Sequence, residues 1–289
     1  MQQFQYYSAK SIEEALSYLA DKAQSCKIIA GGTDLIPTLR LETIHPEYVL
    51  NILEIQSLRG ITDQDYSVRI GSATTFAEME ESGVLHRHFP ILVQAAACVG
   101  GPQIRNRGTI GGNIANASPA ADVLPAVLAL DGELELQSRT RGTRTLPLAE
   151  AVESPYKTRF MADELLTGII IRKLEAGTRS VFEKLGRRNA MARARMNLSV
   201  VLQCDPQERV KELRIVPGAV MPAARRVRKA ENILLGKKPE SSLIEASVEA
   251  LAEEMVQVAG VRGSTGYKVP VLKNKARCIL QELTGIMIS

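Results

Sequence analysis

The sequence predicts an α+β fold, and three observations carry that prediction. Short apolar or β-branched runs are interspersed with amphipathic stretches through the first 175 residues. In the remainder, three strand-like runs come first and helical stretches come last, the order of helices laid on one face of an antiparallel sheet. Finally, neither a G-x-G-x-x-G opening a helix nor a G-x-x-x-x-G-K-[ST] is present, which disfavours a doubly wound dinucleotide domain and a P-loop.

The elements follow in order. Ser11-Ile12-Glu13-Glu14 reads as a capping box opening a helix with Ile12, Ala15, Leu16 and Leu19 on one face. Lys27-Ile28-Ile29-Ala30 is a short strand ending in Gly31-Gly32. Tyr48 to Ile52 and Ser67 to Gly71 are further strands. Thr75-Phe76-Ala77-Glu78 is a second capping box, and Ile91 to Val99 a buried helix ahead of Gly111-Gly112. Val123 to Leu130 is helical, and Glu133–Gln137 and Leu165–Arg172 are strands. Leu174 to Thr178 turns polar, which places a domain boundary there, with domains at 1–175 and 176–289. Strands at 180–185, 198–203 and 210–216 precede helices near 230–235, 240–258 and 270–284.

Composition excludes several classes. A net charge of +4 is too mild to argue for nucleic acid, and the basic stretches lack interleaved aromatics. No apolar run approaches the ~20 residues of a membrane helix, and Met1-Gln2-Gln3-Phe4-Gln5 is no signal peptide. A cytoplasmic location is the expectation. Cys26, Cys98, Cys204 and Cys278 are widely spaced, so they read as packing residues rather than iron–sulfur or zinc ligands. His86 and His88 would share a face on a strand, but no carboxylate or thiolate lies near them in sequence, so a metal is not expected.

The chemistry concentrates in the glycine pairs. Ala30-Gly31-Gly32-Thr33-Asp34-Leu35 and Gly108-Thr109-Ile110-Gly111-Gly112-Asn113 each have short apolar or β-branched residues before the glycines and hydroxyl, amide or carboxyl groups nearby. A strand ending in two glycines turns its backbone N–H groups toward an anion. Two such turns could hold the two ends of a diphosphate. An ordinary tight loop is the alternative for either turn alone.

Together, AGGTDL at 30–35, IRNRGTIGGNIANASPAAD at 104–122, FEKLGRR at 182–188 and RGSTGYK at 262–268 resemble the FAD-binding subunits of the molybdenum hydroxylases, the family of xanthine dehydrogenase, aldehyde oxidase and carbon monoxide dehydrogenase. The resemblance covers nearly the whole chain. It implies a two-subdomain FAD-binding domain of the vanillyl-alcohol-oxidase-like type, followed by a smaller α+β domain with a three-stranded antiparallel sheet. It implies that FAD is lined by Ile28, Ile29, Ala30, Gly31, Gly32, Thr33, Asp34 and Leu35, and by Thr109, Gly111, Gly112 and Asn113. Asp34 accepts from neighbouring N–H groups or a sugar hydroxyl, or else stabilises its own turn.

Asp122 matches a carboxylate near the adenosine, or caps the following helix. Leu165 matches a position packing on the adenine, or is core. Lys184 is the candidate for the flavin's pyrimidine edge, where its charge favours the reduced ring. Arg105 and Arg107, two apart on a strand, could both face the diphosphate; surface charge or an ion pair is the alternative. Val99 stands where some members carry an aromatic. Arg193 follows Ala190-Met191-Ala192 where the family often shows Asp-Ile. In the C-terminal signature, Ser264 or Thr265 begins the last helix, and Arg262 and Tyr267 brace it or meet a partner.

The resemblance further implies an electron-transfer subunit. Its partners would be a large chain with a molybdenum cofactor and a small chain with two [2Fe–2S] clusters, and its acceptor NAD, oxygen or a quinone. A stand-alone flavin oxidase and a scaffold module that has lost FAD are the alternatives.

Overall fold

A computed structural model describes residues 3–188 and 191–286; Met1, Gln2 and Ala190, quoted above, lie outside the described residues. The chain opens with a small parallel sheet of β1 (Gln5–Ser8), β2 (Cys26–Ile29) and β3 (Tyr48–Asn51), in the order β1-β3-β2. Helix α1 (Ile12–Lys22) crosses between β1 and β2 and buries Ala15 and Leu19. Its capping box is half formed. Ser11 accepts from the Glu14 N–H, but the Glu14 carboxylate takes the N–H of Lys10. The first glycine turn leads from β2 into α2 (Leu35–Arg40).

An antiparallel sheet follows, built from β4 (Ile61–Asp63), β5 (Ser67–Gly71), β6 (Glu133–Ser138), β7 (Gly142–Pro147) and, after a small ribbon of β8 (Val152–Ser154) and β9 (Lys157–Thr158), β10 (Leu165–Arg172). Its order is β4-β5-β10-β6-β7. Alternate residues Val68 and Ile70, Leu134 and Leu136, and Ile169 and Ile171 enter one core, the period-two pattern of a sheet with one buried face. That core is closed by α3 (Phe76–Glu81), α4 (Gly83–His88), α5 (Pro90–Ala97), α7 (Ile110–Asn116) and α8 (Val123–Ala129), with α6 (Pro102–Arg105) short and exposed. The second capping box forms in full around Thr75 and Glu78. A single-turn α9 (Leu148–Ala151) follows β7.

The last part is an antiparallel sheet of β11 (Arg179–Leu185), β12 (Met196–Cys204) and β13 (Val210–Gly218), in that order. Then come α10 (Arg228–Leu234), α11 (Ser241–Ala259) and α12 (Thr265–Thr284). The three expected strands lie within β11, β12 and β13. Helix α12 begins five residues earlier than expected and carries Pro270 in its second turn, where the missing N–H removes one helical bond.

Both faces of this sheet are covered. Val200, Leu202 and Ile215 pack under the helices, while Phe182, Val201 and Val216 enter the core of the preceding region. Helix α8 lies against β12 and β13. Arg214 donates to the carbonyl of Ala129 at the end of α8 (2.9 Å), and Arg226 pairs with Asp131 just beyond it (3.0 Å). No helix among the described residues is long and apolar enough to cross a membrane.

Candidate functional site

Strand β2 delivers the first turn. Ile28 and Ile29 pair in parallel register with Leu50 and Asn51. Ile28 and Ala30 lean on the small core under α1. Gly32 has φ +73°, a left-handed conformation that a side chain resists. Gly31 is pressed against the main chain of Arg107 and Gly108, and a Cβ there would overlap the Arg107 carbonyl. The two glycine segments, some 80 residues apart in sequence, therefore touch backbone to backbone. The N–H groups of Gly31, Gly32, Thr33 and Asp34 have no acceptor among the described residues. Four consecutive free donors around a left-handed glycine form a concavity suited to an anion.

Asp34 makes neither a cap nor an Asx bond; its side chain has no bond within the turn, so that expected alternative is not formed. The residue is exposed as a whole, yet the surrounding protein strips enough water from its carboxyl to push its pKa up, and Arg193 pulls it back down. The departure noted at Arg193 is thus placed within electrostatic reach of the first turn. Leu35 opens α2, half-buried.

The second segment is organised differently. Thr109 caps α7, its hydroxyl accepting from the Gly112 N–H at 3.1 Å. The N–H groups of Ile110, Gly111 and Asn113 donate to Thr74, Ser72 and Thr109 carbonyls. This corrects the symmetrical expectation: here the backbone donors are spent within the protein. A Cβ on Gly111 would run into Ser72, so the close packing of α7 on that segment requires a glycine there. The spare polar capacity lies in side chains. Asn113 Oδ1 and Ser72 Oγ are buried without a hydrogen-bond partner.

Asp122 and Lys184 form a buried ion pair at 2.6 Å, their side chains 7% and 10% exposed. Lys184 also donates to the carbonyl of Cys98 at 2.7 Å. The Asn197 amide donates to Asp122 Oδ1 and to the carbonyl of Ala121. Burial pushes the Asp122 carboxyl up, and the Lys184 charge and both hydrogen bonds oppose that shift. Asp122 makes no side-chain cap on α8, so that reading is corrected. The Lys184 ammonium, expected at the flavin's pyrimidine edge, is paired with Asp122 and the Cys98 carbonyl.

Leu165 is 1% exposed and packs with Leu50 and Ile55, enclosed in the small core. Arg105 and Arg107 are not on a strand. Arg105 ends α6 and pairs with Glu80 at 2.8 Å, while Arg107 contributes its carbonyl to the contact with Gly31. His86 and His88 lie on α4, bonding to the Glu80 carbonyl and to Asp63; no metal-binding cluster is present among the described residues. Cys278 is exposed, against the packing expectation, while the other three cysteines are half-buried. Thr265 opens α12, and Tyr267 lies under the Arg195 guanidinium at 5.3 Å. Sequence reasoning missed Ser72, the Cys98 carbonyl and Asn197. A lone Asn or Ser in a strand or loop carries no signal of its own.

Comparison with known proteins matches residues 2–173 to the FAD binding domain in molybdopterin dehydrogenase and residues 180–283 to the CO dehydrogenase flavoprotein C-terminal domain. The chain is 34% identical over 270 residues to the 6-hydroxypseudooxynicotine dehydrogenase complex subunit alpha of Paenarthrobacter nicotinovorans, covering 93% of this chain and 90% of that one. It is 31% identical to the putative xanthine dehydrogenase FAD-binding subunit of Escherichia coli K12, covering 96% and 94%. Among solved structures, it superposes on a chain of the carbon monoxide dehydrogenase from Hydrogenophaga pseudoflava with a TM-score of 0.90, at 30% identity and 96% of each chain.

Proposed function

Because the chain belongs to the FAD-binding medium subunits of the molybdenum hydroxylases, we propose that it is the electron-transfer subunit of a molybdenum-dependent hydroxylase or dehydrogenase. It would receive electrons from [2Fe–2S] clusters in a small partner subunit, themselves supplied by a large molybdenum subunit, and pass them to an external acceptor such as NAD. The two domains of this reading are 1–175, which holds FAD, and 176–289, and the working compartment is the cytoplasm.

The residues present suit FAD. The observation that carries the reading is the run of free N–H groups at Gly31 to Asp34, closed from behind by the Arg107–Gly108 main chain. These donors and the Thr33 hydroxyl would hold the diphosphate. Asn113 Oδ1 and Ser72 Oγ, left without protein partners, supply polar contacts from the second segment. The Asp122 carboxylate uses one donor on each oxygen, which leaves lone pairs for ribose hydroxyls. Ile28 to Ala30 and Leu35 would line the cofactor beside the first turn. Bound FAD supplies a carrier that takes electrons singly and releases them in pairs. The protein's own part is to bind, orient and tune.

The test is direct. The purified full chain should be yellow and release about one FAD per chain on heating, and candidate substrates should give no reduction of artificial acceptors without partner subunits. A colourless chain that takes up no added FAD would overturn this function and leave a scaffold role. Turnover by the isolated chain would instead point to a self-sufficient oxidase.

A further inference from the structure

We infer that Asn197 is a positioning residue for the cofactor site, holding the Asp122 carboxylate in one orientation so that the C-terminal sheet completes the FAD site. The inference rests on the proposed function, since it takes Asp122 as a group facing the cofactor.

Lys184, Asn197 and Gly218 are direct register partners, one each from β11, β12 and β13. They form a row across the sheet. By the two-residue alternation of strands they share the face of Phe182, Val201 and Val216, which is the face covered by α5 and α8. The row ends under the N-terminus of α8, where Asp122 sits. Each Asp122 oxygen receives one donor from this row: Oδ2 from Lys184 at 2.6 Å and Oδ1 from Asn197 at 3.1 Å.

The amide orientation is dictated by its surroundings. The Asn197 Nδ2 faces the Ala121 carbonyl and a carboxylate oxygen, both acceptors; rotating the amide would set oxygen against oxygen. Its own Oδ1 is buried with no partner. A buried orphan oxygen is costly, so the amide is retained for what its N–H groups do. Gly218 supports this, because a Cβ there would strike Asn197 Oδ1. Lys184 alone would leave the carboxylate free to swing about its bond to Nζ; a second donor on the other oxygen removes that freedom.

The charged and titratable groups around Asp122 come from β11 and from the end of α5. Lys184 faces it from β11. Cys98, at the end of α5, lies within electrostatic reach of Asp122, Lys184, Arg105 and Glu80. Among the groups that act on it, only Lys184 and Asn197 hold the carboxyl down.

The experiment uses the full chain stripped of FAD, titrated with FAD itself by flavin fluorescence quenching across pH. The variants are wild type, Asn197→Leu, Asn197→Ser, Asp122→Asn and the Asp122→Asn/Asn197→Leu pair. Asn197→Leu is expected to weaken FAD binding about tenfold or more, the size of losing one hydrogen bond to a charged group. It should also move the acid limb of binding to higher pH, because losing the donor raises the carboxyl further. Asn197→Ser, too short to reach, should behave alike if Leu fails to fold. In the double variant, Asn197→Leu should add nothing to the effect of Asp122→Asn. The inference is overturned if Asp122→Asn weakens FAD while both Asn197 variants keep wild-type affinity and pH profile. Unchanged binding in Asp122→Asn overturns it as well, by removing Asp122 from the site while FAD binding stands. Failure of wild type to bind FAD takes down the proposed function with it.

Discussion

At the scale of the residue, Gly31 and Gly112 look alike in sequence and differ in the fold. Gly31 lies against the Arg107 carbonyl with no room for a methyl group, whereas a Cβ on Gly112 would meet only the Thr109 hydroxyl at 3.0 Å. Gly31→Ala should therefore separate the two turns. We expect a loss of about 1–3 kcal/mol in thermal or denaturant unfolding, typical of overpacking, together with weakened FAD retention. Gly112→Ala should stay within about 1 kcal/mol of wild type, since alanine suits a helix first turn better than glycine. Equal effects of the two substitutions would refute this distinction. Asp122 and Lys184 carry the other residue-scale lesson. Both were named as candidates by resemblance, but their mutual ion pair was not foreseen, because 62 residues separate them and no local pattern links them.

At the scale of the element, the C-terminal domain grips α8 at both ends. Lys184 and Asn197 hold its start, and Arg214 and Arg226 hold its end. Cations at a helix C-terminus also suit the helix dipole. Glu231 on α10 anchors this grip. It is fully buried, bonded to Arg226 and to the Ile215 N–H. Glu231→Ala leaves Arg226 with Asp131 alone as its carboxylate and the Ile215 N–H without an acceptor, and should cost about 1–3 kcal/mol in unfolding experiments; a loss under 0.5 kcal/mol, about the spread of neutral surface changes, would show that Glu231 contributes little.

The edge of the five-stranded sheet has its own acid sensitivity. Burial alone would push the Glu164 carboxyl up, but the Arg144 guanidinium and the Met161 N–H outweigh it and hold the carboxyl below the ordinary glutamate range. A carboxyl depressed in the folded state binds protons more readily when unfolded. Its stabilising contribution is therefore complete above the ordinary glutamate range and drains away as pH falls toward the lower folded value. Glu164→Gln should flatten the fall in Tm on acidification below about pH 5. An unchanged slope would assign that sensitivity to other carboxylates.

At the scale of the whole molecule, the chain is one component of a proposed larger enzyme. Copurification from its natural source should bring down a large molybdenum-containing chain and a small iron–sulfur chain. Reduction of an external acceptor by substrate should then require all of them. Isolation of this chain alone, fully active with substrate, would contradict that assembly. The two parts of the chain share packed surface. The β11–β12–β13 sheet buries one face under its own helices and the other in the core of the first domain, so Lys184 on β11 and Asn197 on β12 are held against Asp122 at the start of α8.

Sequence alone determined the α+β class, the strands at 165–172, 180–185, 198–203 and 210–216, the complete capping box at Thr75, and the family through its glycine motifs. These are local: alternation, caps and tight turns act within a few residues, so the pattern is written in neighbouring letters. Only the tertiary structure decided that the Gly31 turn keeps its donors free while the Gly111 segment spends its own on Ser72 and Thr74. It alone set Lys184 on Asp122, put Arg105 on Glu80, enclosed Leu165 and recruited Asn197. Those outcomes depend on which distant groups burial forces together, and a buried polar group must take whatever partner the packing brings within reach.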